Sequence, residues 1–242
     1  MNSLIKSLKE GSIMSNYVYG RNSFFEALKK GRIIKAYVLN DKEIKNRNIP
    51  YQICDRKMLD RLCNSGNHQG FVGEVKDYKL SSVDEMIRDR NGLIVVLDGL
   101  EDVHNLGAII RTAECAGADG VIYKSHNSVK VNDTVAKVAC GALEYVKVAE
   151  VTNLVNTLKE LKKKNYWIVG SDGSADKMYD ELDYDMNTVL VIGSEGKGMS
   201  RLVKEECDFI VKLPMYGHIT SLNASVAAGI LIYNVISSRN RK

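Results

Sequence analysis

Three short stretches carry the residue types that could do chemistry. The first, Asn105-Leu106-Gly107-Ala108-Ile109-Ile110-Arg111, follows an apolar run over 93–98. Asn105 reads as the N-cap of a helix over 106–116, since its side-chain oxygen can take a first-turn N–H. Positions 107 and 111 lie one turn apart on the same side of that helix. The Arg111 guanidinium is therefore expected at the strand-end crevice where open α/β sheets hold ligands. The second stretch, Gly193-Ser194-Glu195-Gly196-Lys197-Gly198, closes another apolar run. Its glycines would let backbone approach a ligand closely. It is not a phosphate-cradling loop, which would need lysine in place of Met199 ahead of Ser200. The third runs over 213–225, a polar loop with Pro214, one of two prolines in the chain. There Ser221 reads as the N-cap of a helix over 222–236. That helix is apolar nearly all round, with Val226, Ile230 and Tyr233 on one side and Ala224, Ala227, Ala228 and Leu231 on others. Such a helix belongs in a core or a subunit contact. Each stretch also has a plain reading: Asn105 as a cap, Arg111 as a surface arginine, Glu195 as an exposed turn tip. All three follow strand ends, however, and together they read as one cofactor crevice with Arg111 and Glu195 at its mouth.

The elements that would position these stretches are legible from apolar runs. Strands are expected at 93–98, 120–123, 146–151, 166–169, 189–192 and 209–213, with helices at 106–116, 132–142 and 153–163. Uninterrupted apolar strands alternating with helices indicate βαβ units and a mainly parallel sheet buried on both faces. A smaller α/β module precedes them. There Arg21-Asn22-Ser23 forms a cap-rich turn before a helix ending near Gly31, strands are expected at 35–39, 49–54 and 71–75, and Asp55 caps a helix through Leu62. The expected division is 14–78, a connector at 79–91 and 92–242. Residues 1–13 show no period. Lys9-Glu10-Gly11 can be encoded by a purine-rich run resembling a ribosome-binding site, so Met14 is the expected start.

The chain has 242 residues, 45% apolar and 26% charged, ordinary for a globular protein. Its net charge of +4 is unevenly spread: +7 over residues 1–80 and −3 over the remainder. A basic first third suggests contact with a polyanion there. Five scattered cysteines without a C-x-x-C pair read as reduced thiols, and the four histidines are not at metal-ligand spacing. No metal site is expected. With no long apolar run or leader, a cytoplasmic location is expected. A Rossmann-type nucleotide site is disfavoured, because Asp98-Gly99-Leu100-Glu101-Asp102 after the first long strand is acidic rather than glycine-rich.

The three stretches resemble the motifs of the SpoU (TrmH-like) RNA ribose 2′-O-methyltransferases of the SPOUT class. They stand as Asn105-x-Gly107-Ala108-x-x-Arg111, Gly193-Ser194-Glu195-Gly196-x-Gly198 and Pro214-Met215-x-Gly217-x-x-x-Ser221-Leu222-Asn223-x-Ser225-x-Ala227, in the family's order. The N-terminal module is similar to the family's L30e-like substrate-binding domain through Gly20-Arg21-Asn22-Ser23 and His68-Gln69-Gly70. This resemblance implies an α/β fold with a deep trefoil knot, S-adenosylmethionine as methyl donor, RNA as substrate and a homodimer formed through the catalytic domain. It implies Arg111, Asn105, Glu195, Ser221 and Asn223 on the reactive side, and Gly193, Leu213, Met215 and Leu222 around the cofactor. The layout is closest to members that methylate a guanosine ribose in bacterial 23S ribosomal RNA. Relatives acting on transfer RNA or other ribosomal-RNA positions, and an inactive RNA-binding relative, are the alternatives.

Overall fold

A computed structural model describes residues 17–63, 67–125, 128 and 130–241. The expected start at Met14 lies outside the described residues. The chain divides into two compact units, the first ending at Asp77 and the second beginning at Tyr78.

In the first unit, β1 (Tyr17–Tyr19), β2 (Ile33–Val38), β3 (Tyr51–Ile53) and β4 (Phe71–Val75) form a sheet of order β1-β4-β2-β3. β4 is antiparallel to both neighbours, and β3 is parallel to β2 at the edge. Alternation sorts the side chains onto two faces. Val18, Ala36, Val38, Phe71 and Val75 pack with Phe24 and Ala27 of helix α1 (Arg21–Lys29). Tyr19, Tyr37 and Val72 pack with Leu59 of helix α2 (Arg56–Cys63). Asp55 caps α2 as expected, its carboxylate taking the Met58 N–H at 2.8 Å. The start of α1 differs from expectation. Arg21-Asn22-Ser23 is already helical, and the orphan Arg21 N–H donates to the Gln69 side chain at 2.8 Å. Gly20 reaches this entry with a φ of 84° and donates to the Phe71 carbonyl. The two signatures of this module thus touch each other.

The second unit holds seven strands, β5 (Leu93–Asp98), β6 (Gly120–Lys124), β7 (Lys147–Val151), β8 (Trp167–Ser171), β9 (Lys177–Met178), β10 (Thr188–Gly193) and β11 (Phe209–Lys212). Their order is β7-β6-β5-β10-β8-β11-β9, and every pairing is parallel. β5 and β10 lie at the centre. Helices α3 (Val103–Cys115), α4 (Asp133–Val138) and α7 (Ala224–Asn240) contribute to the core on one face, with Leu106, Ile109, Val135, Leu231 and Val235 buried. Helices α5 (Leu154–Lys163) and α6 (Arg201–Glu205) cover the other with Leu154, Leu158 and Val203. The apolar runs become strands because both of their faces are buried.

Residues 79–91, expected as a connector, lie within the second unit. Ser81 N–H donates to the Val148 carbonyl, and Met86 is fully buried. Asn187 accepts from Gly92 N–H and donates to the Arg88 and Asp89 carbonyls.

Three helices of this unit differ from their expected bounds for local reasons. α3 begins earlier, at Val103, because the Asp102 carboxylate accepts the His104 N–H; Asn105 lies inside the first turn and is not the cap. α4 ends at Val138, because Cys140 (φ 52°) and Gly141 (φ 94°) turn the chain into a single 3₁₀ turn at Ala142–Glu144. α7 begins at Ala224, capped by Asn223 rather than Ser221, and continues to Asn240.

Candidate active site

The loops after β5, β10 and β11 supply the site, and each is shaped by identifiable contacts. After β10, Ser194 and Gly198 exchange backbone hydrogen bonds, each at 3.0 Å. This closes a tight turn in which Gly196 and Gly198 take φ of 80° and 65°. A Cβ on Gly193 would lie 2.2 Å from the Gly198 carbonyl carbon and 2.3 Å from the Met199 nitrogen. The glycine at 193 is therefore required by its own returning loop. The buried Asp98 carboxylate ties that loop to β5 by accepting the Ser200 N–H at 2.6 Å. Sequence reasoning passed over Asp98; a carboxylate ending a six-residue buried apolar strand was the available signal.

Within this frame Asn105, Glu195 and Asn223 form a closed set of side chains. Glu195 Oε1 accepts from Asn105 Nδ2 and Asn223 Nδ2, each at 2.8 Å, and from the Ala224 N–H at 3.2 Å. Asn223 Nδ2 also donates to Asn105 Oδ1 at 2.9 Å. Its own Oδ1 caps α7, accepting from Ser225 N–H and Val226 N–H, and from the Ser225 hydroxyl. One asparagine thus starts the helix and joins all three motifs. Glu195 places its negative charge at the N-terminus of a 17-residue helix, where the dipole favours it. The carboxylate serves as an acceptor that fixes two amides in place.

Arg111 is not part of this set. It is exposed, and its Nη1 donates to Cys140 Sγ at 3.4 Å. The side it shares with Gly107 is occupied: a Cβ on Gly107 would fall 2.6 Å from Val138 Cβ and 3.0 Å from the Val135 carbonyl. Helix α4 lies in that notch, and the guanidinium stands against the turn that follows it. Arg111 was expected at the crevice mouth with Glu195; the hydrogen bond it makes here is to Cys140, outside the Asn105–Glu195–Asn223 set. Cys140 was not anticipated, because no sequence period relates it to Arg111.

The remaining candidates lie on the loop over 213–223. Leu213 is half-buried against the core, while Met215 and Leu222 are each 38% exposed. Ser221 is exposed, and its side chain makes no hydrogen bond among the described residues. Tyr216 and Ile219 stand out at 95% and 77% exposure. A cleft of about 580 Å³ lined by Asp84, Glu150, Asn153 and Glu160, among others, shares no residue with the site. Among the described residues no cluster of His, Cys, Asp and Glu could hold a metal, and no helix is long and apolar enough to cross a membrane.

Comparison with known proteins agrees with this architecture. Residues 92–233 match the SpoU rRNA Methylase family, and residues 17–81 match the RNA 2′-O ribose methyltransferase substrate binding family. A TrmH family tRNA/rRNA methyltransferase of Bacillus subtilis (strain 168), YacO, is 43% identical over 241 residues, covering 93% of this chain and 96% of the relative. A TrmH family tRNA/rRNA methyltransferase of Staphylococcus haemolyticus (strain JCSC1435) is 42% identical over 240 residues, with 93% and 96% covered. Among solved structures, the SpoU methyltransferase AviRb of Streptomyces viridochromogenes, in complex with AdoMet, superposes with a TM-score of 0.81 at 22% identity, covering 93% of this chain and 91% of that one. An AdoMet-bound rRNA methyltransferase from Sinorhizobium meliloti superposes with a TM-score of 0.80 at 22% identity, covering 91% and 86%. At these identities the likeness shows the fold.

Proposed function

Since the chain belongs to the SpoU family of RNA methyltransferases, we propose that it transfers a methyl group from S-adenosylmethionine to the ribose 2′-hydroxyl of a guanosine in 23S ribosomal RNA. The observation that carries this reading is the closed set Asn105–Glu195–Asn223, which draws residues 118 positions apart into one site beside the exposed 213–223 loop. A site of that kind has residues to orient a substrate and an open wall for a cofactor.

The residues fit S-adenosylmethionine. Exposed Met215 and Leu222 offer apolar surface for a flat base, and a Cβ on Gly196 or Gly217 would meet nothing within 4 Å, so backbone is open there. Glu195 offers negative charge toward a sulfonium. When bound, the cofactor supplies an electrophilic methyl group. The chain supplies position and charge. Asn105 and Asn223, held by Glu195, orient the ribose, with Ser221 beside them. Arg111 holds the adjacent phosphate and stabilises the developing alkoxide, while the hydroxyl proton leaves to solvent; an arginine keeps its proton, so it serves better as a cation than as a base. Glu195 Oε1 already accepts from three N–H groups and acts in positioning.

The basic first unit would hold RNA phosphates. Arg21 is less available for this than its charge suggests. It pairs with both oxygens of Glu43 and lies over the Phe25 and Phe71 rings. The homodimer belongs to the same proposal. Val226, Ile230 and Tyr233 form an exposed apolar stripe along α7, at 50%, 39% and 48% exposure, while the opposite side of the helix is buried. Such a stripe suits a second copy. The trefoil knot and a cytoplasmic location complete the proposal. Transfer RNA is the second reading, since the relatives are named tRNA/rRNA methyltransferases. Incubation of total RNA with labelled S-adenosylmethionine, followed by mapping of the modified nucleotide, tests both. Label at a 23S guanosine ribose is expected; label confined to transfer RNA selects the second reading, and label on a base refutes both.

A further inference from the structure

Cys140 meets Arg111, a candidate residue outside the Asn105–Glu195–Asn223 set. Gly107 forms a notch in α3, and the Val135–Val138 side of α4 fills it. Two residues beyond α4, Cys140 adopts a φ of 52°, and Gly141 follows at 94°. A left-handed residue carrying a Cβ is uncommon. Here it brings the sulfur to Arg111, 3.4 Å from Nη1, while the thiol itself donates to the Lys137 carbonyl at 3.6 Å. The hydrogen leaves toward Lys137, and sulfur lone pairs face the guanidinium. A thiol sulfur is a weak acceptor and carries no charge to cancel that of Arg111. Glu195, the carboxylate of the site, is occupied by amides, and Arg111 has no ion pair among the described residues.

We propose that Cys140 is a positioning residue for methyl transfer, a weak latch that parks the Arg111 guanidinium against a neutral sulfur and yields it to the RNA. The proposal rests on the reading of Arg111 as the group that meets phosphate and alkoxide. A stronger acceptor at position 140 would compete with the RNA; a neutral one would not. Asn and Asp both tolerate left-handed backbone and match in size, so they isolate charge.

The test compares full-length Cys140→Asn, Cys140→Asp and Arg111→Ala in steady-state methylation of RNA, with S-adenosylmethionine affinity and melting temperature measured alongside. Cys140→Asn should stay within about twofold of wild type, while Cys140→Asp should lose about fivefold in kcat/KM, the strength of an exposed Arg–carboxylate pair. Cofactor affinity should be unchanged in both. Equal activity of the Asn and Asp variants, with Arg111→Ala inactive, overturns the latch and leaves the role of Arg111 standing. An active Arg111→Ala overturns the role of Arg111 itself. Should the Asp variant fail to fold, the Arg111 side-chain Nε–H resonance decides. Assigned by its loss in Arg111→Ala, it should shift in Cys140→Ala and on addition of RNA to the wild type. A resonance unmoved by Cys140→Ala rules the contact out.

Discussion

Replacing Asn223 by Asp separates the two roles that the structure gives this residue. The aspartate keeps the oxygen that accepts from Ser225 N–H, the Ser225 hydroxyl and Val226 N–H, so the cap of α7 survives. Its second oxygen replaces an amide that stands 2.8 Å from Glu195 Oε1 and 2.9 Å from Asn105 Oδ1. Two donated bonds become repulsions between acceptors. At that separation two unit charges repel by about 1.5 kcal/mol in a water-like dielectric. A water-like dielectric applies because both residues are exposed, and the helix dipole returns about 0.5 kcal/mol. Asn223→Ala instead loses the cap, about 1 kcal/mol, together with both donors. The two variants should be destabilised to a similar degree at pH 7.5 and differ in pH dependence. The carboxyl introduced beside another carboxylate binds its proton more tightly in the folded than in the unfolded chain. Its penalty is therefore absent at low pH, where the proton is bound in both states, and develops as pH rises through the raised folded value. Melting temperatures of wild type, Asn223→Asp and Asn223→Ala between pH 4.5 and 8 give the comparison. The gap between wild type and the Asp variant should widen with pH, and the gap to the Ala variant should stay level. A constant gap for Asn223→Asp would show that the Glu195 contact does not form in solution.

Gly193→Ala should cost about 1–3 kcal/mol, because the new methyl meets backbone of the returning turn that cannot rotate away. The displaced turn should also weaken S-adenosylmethionine binding about tenfold by calorimetry; unchanged affinity would separate the turn from the cofactor site. Arg239 donates to the Tyr184, Asn91, Gly92 and Met186 carbonyls, and burial holds its guanidinium below the usual arginine range. Arg239→Ala should therefore lower stability by about 2–3 kcal/mol in chemical denaturation while leaving activity per folded molecule intact. A loss of activity without a loss of stability would contradict this structural role. Deleting residues 1–77 should weaken RNA affinity and flatten its dependence on salt, since phosphate contacts release counterions. RNA binding with an unchanged salt slope would remove the first unit from substrate contact.

The parts of this fold that could be read from sequence were those fixed by burial along the chain itself. β5 and β10 announce themselves because every residue of Leu93–Asp98 and nearly every residue of Thr188–Gly193 is buried, and composition alone reports that. The two-residue strand β9 carries no such signal, since backbone pairing with β11 creates it. Caps were harder for a related reason. Asp102 and Asn105, or Ser221 and Asn223, are equally competent oxygens a few positions apart, and only the tertiary partner decides. Asn105 is drawn to Glu195 and so cannot cap; Asn223 has enough hydrogen-bonding capacity to cap and to reach Glu195 at once. The same reasoning accounts for Arg111. Helical periodicity placed it correctly beside Gly107, but the period says which side a residue takes and nothing about what else occupies that side. Gly107 is small because α4 packs there, and that packing directs Arg111 to Cys140. A glycine and an arginine one turn apart thus look like an opening toward a ligand when read along one helix. Read across two helices they form a seat for a neighbour, with the guanidinium held at its rim by a weak acceptor from which RNA can draw it.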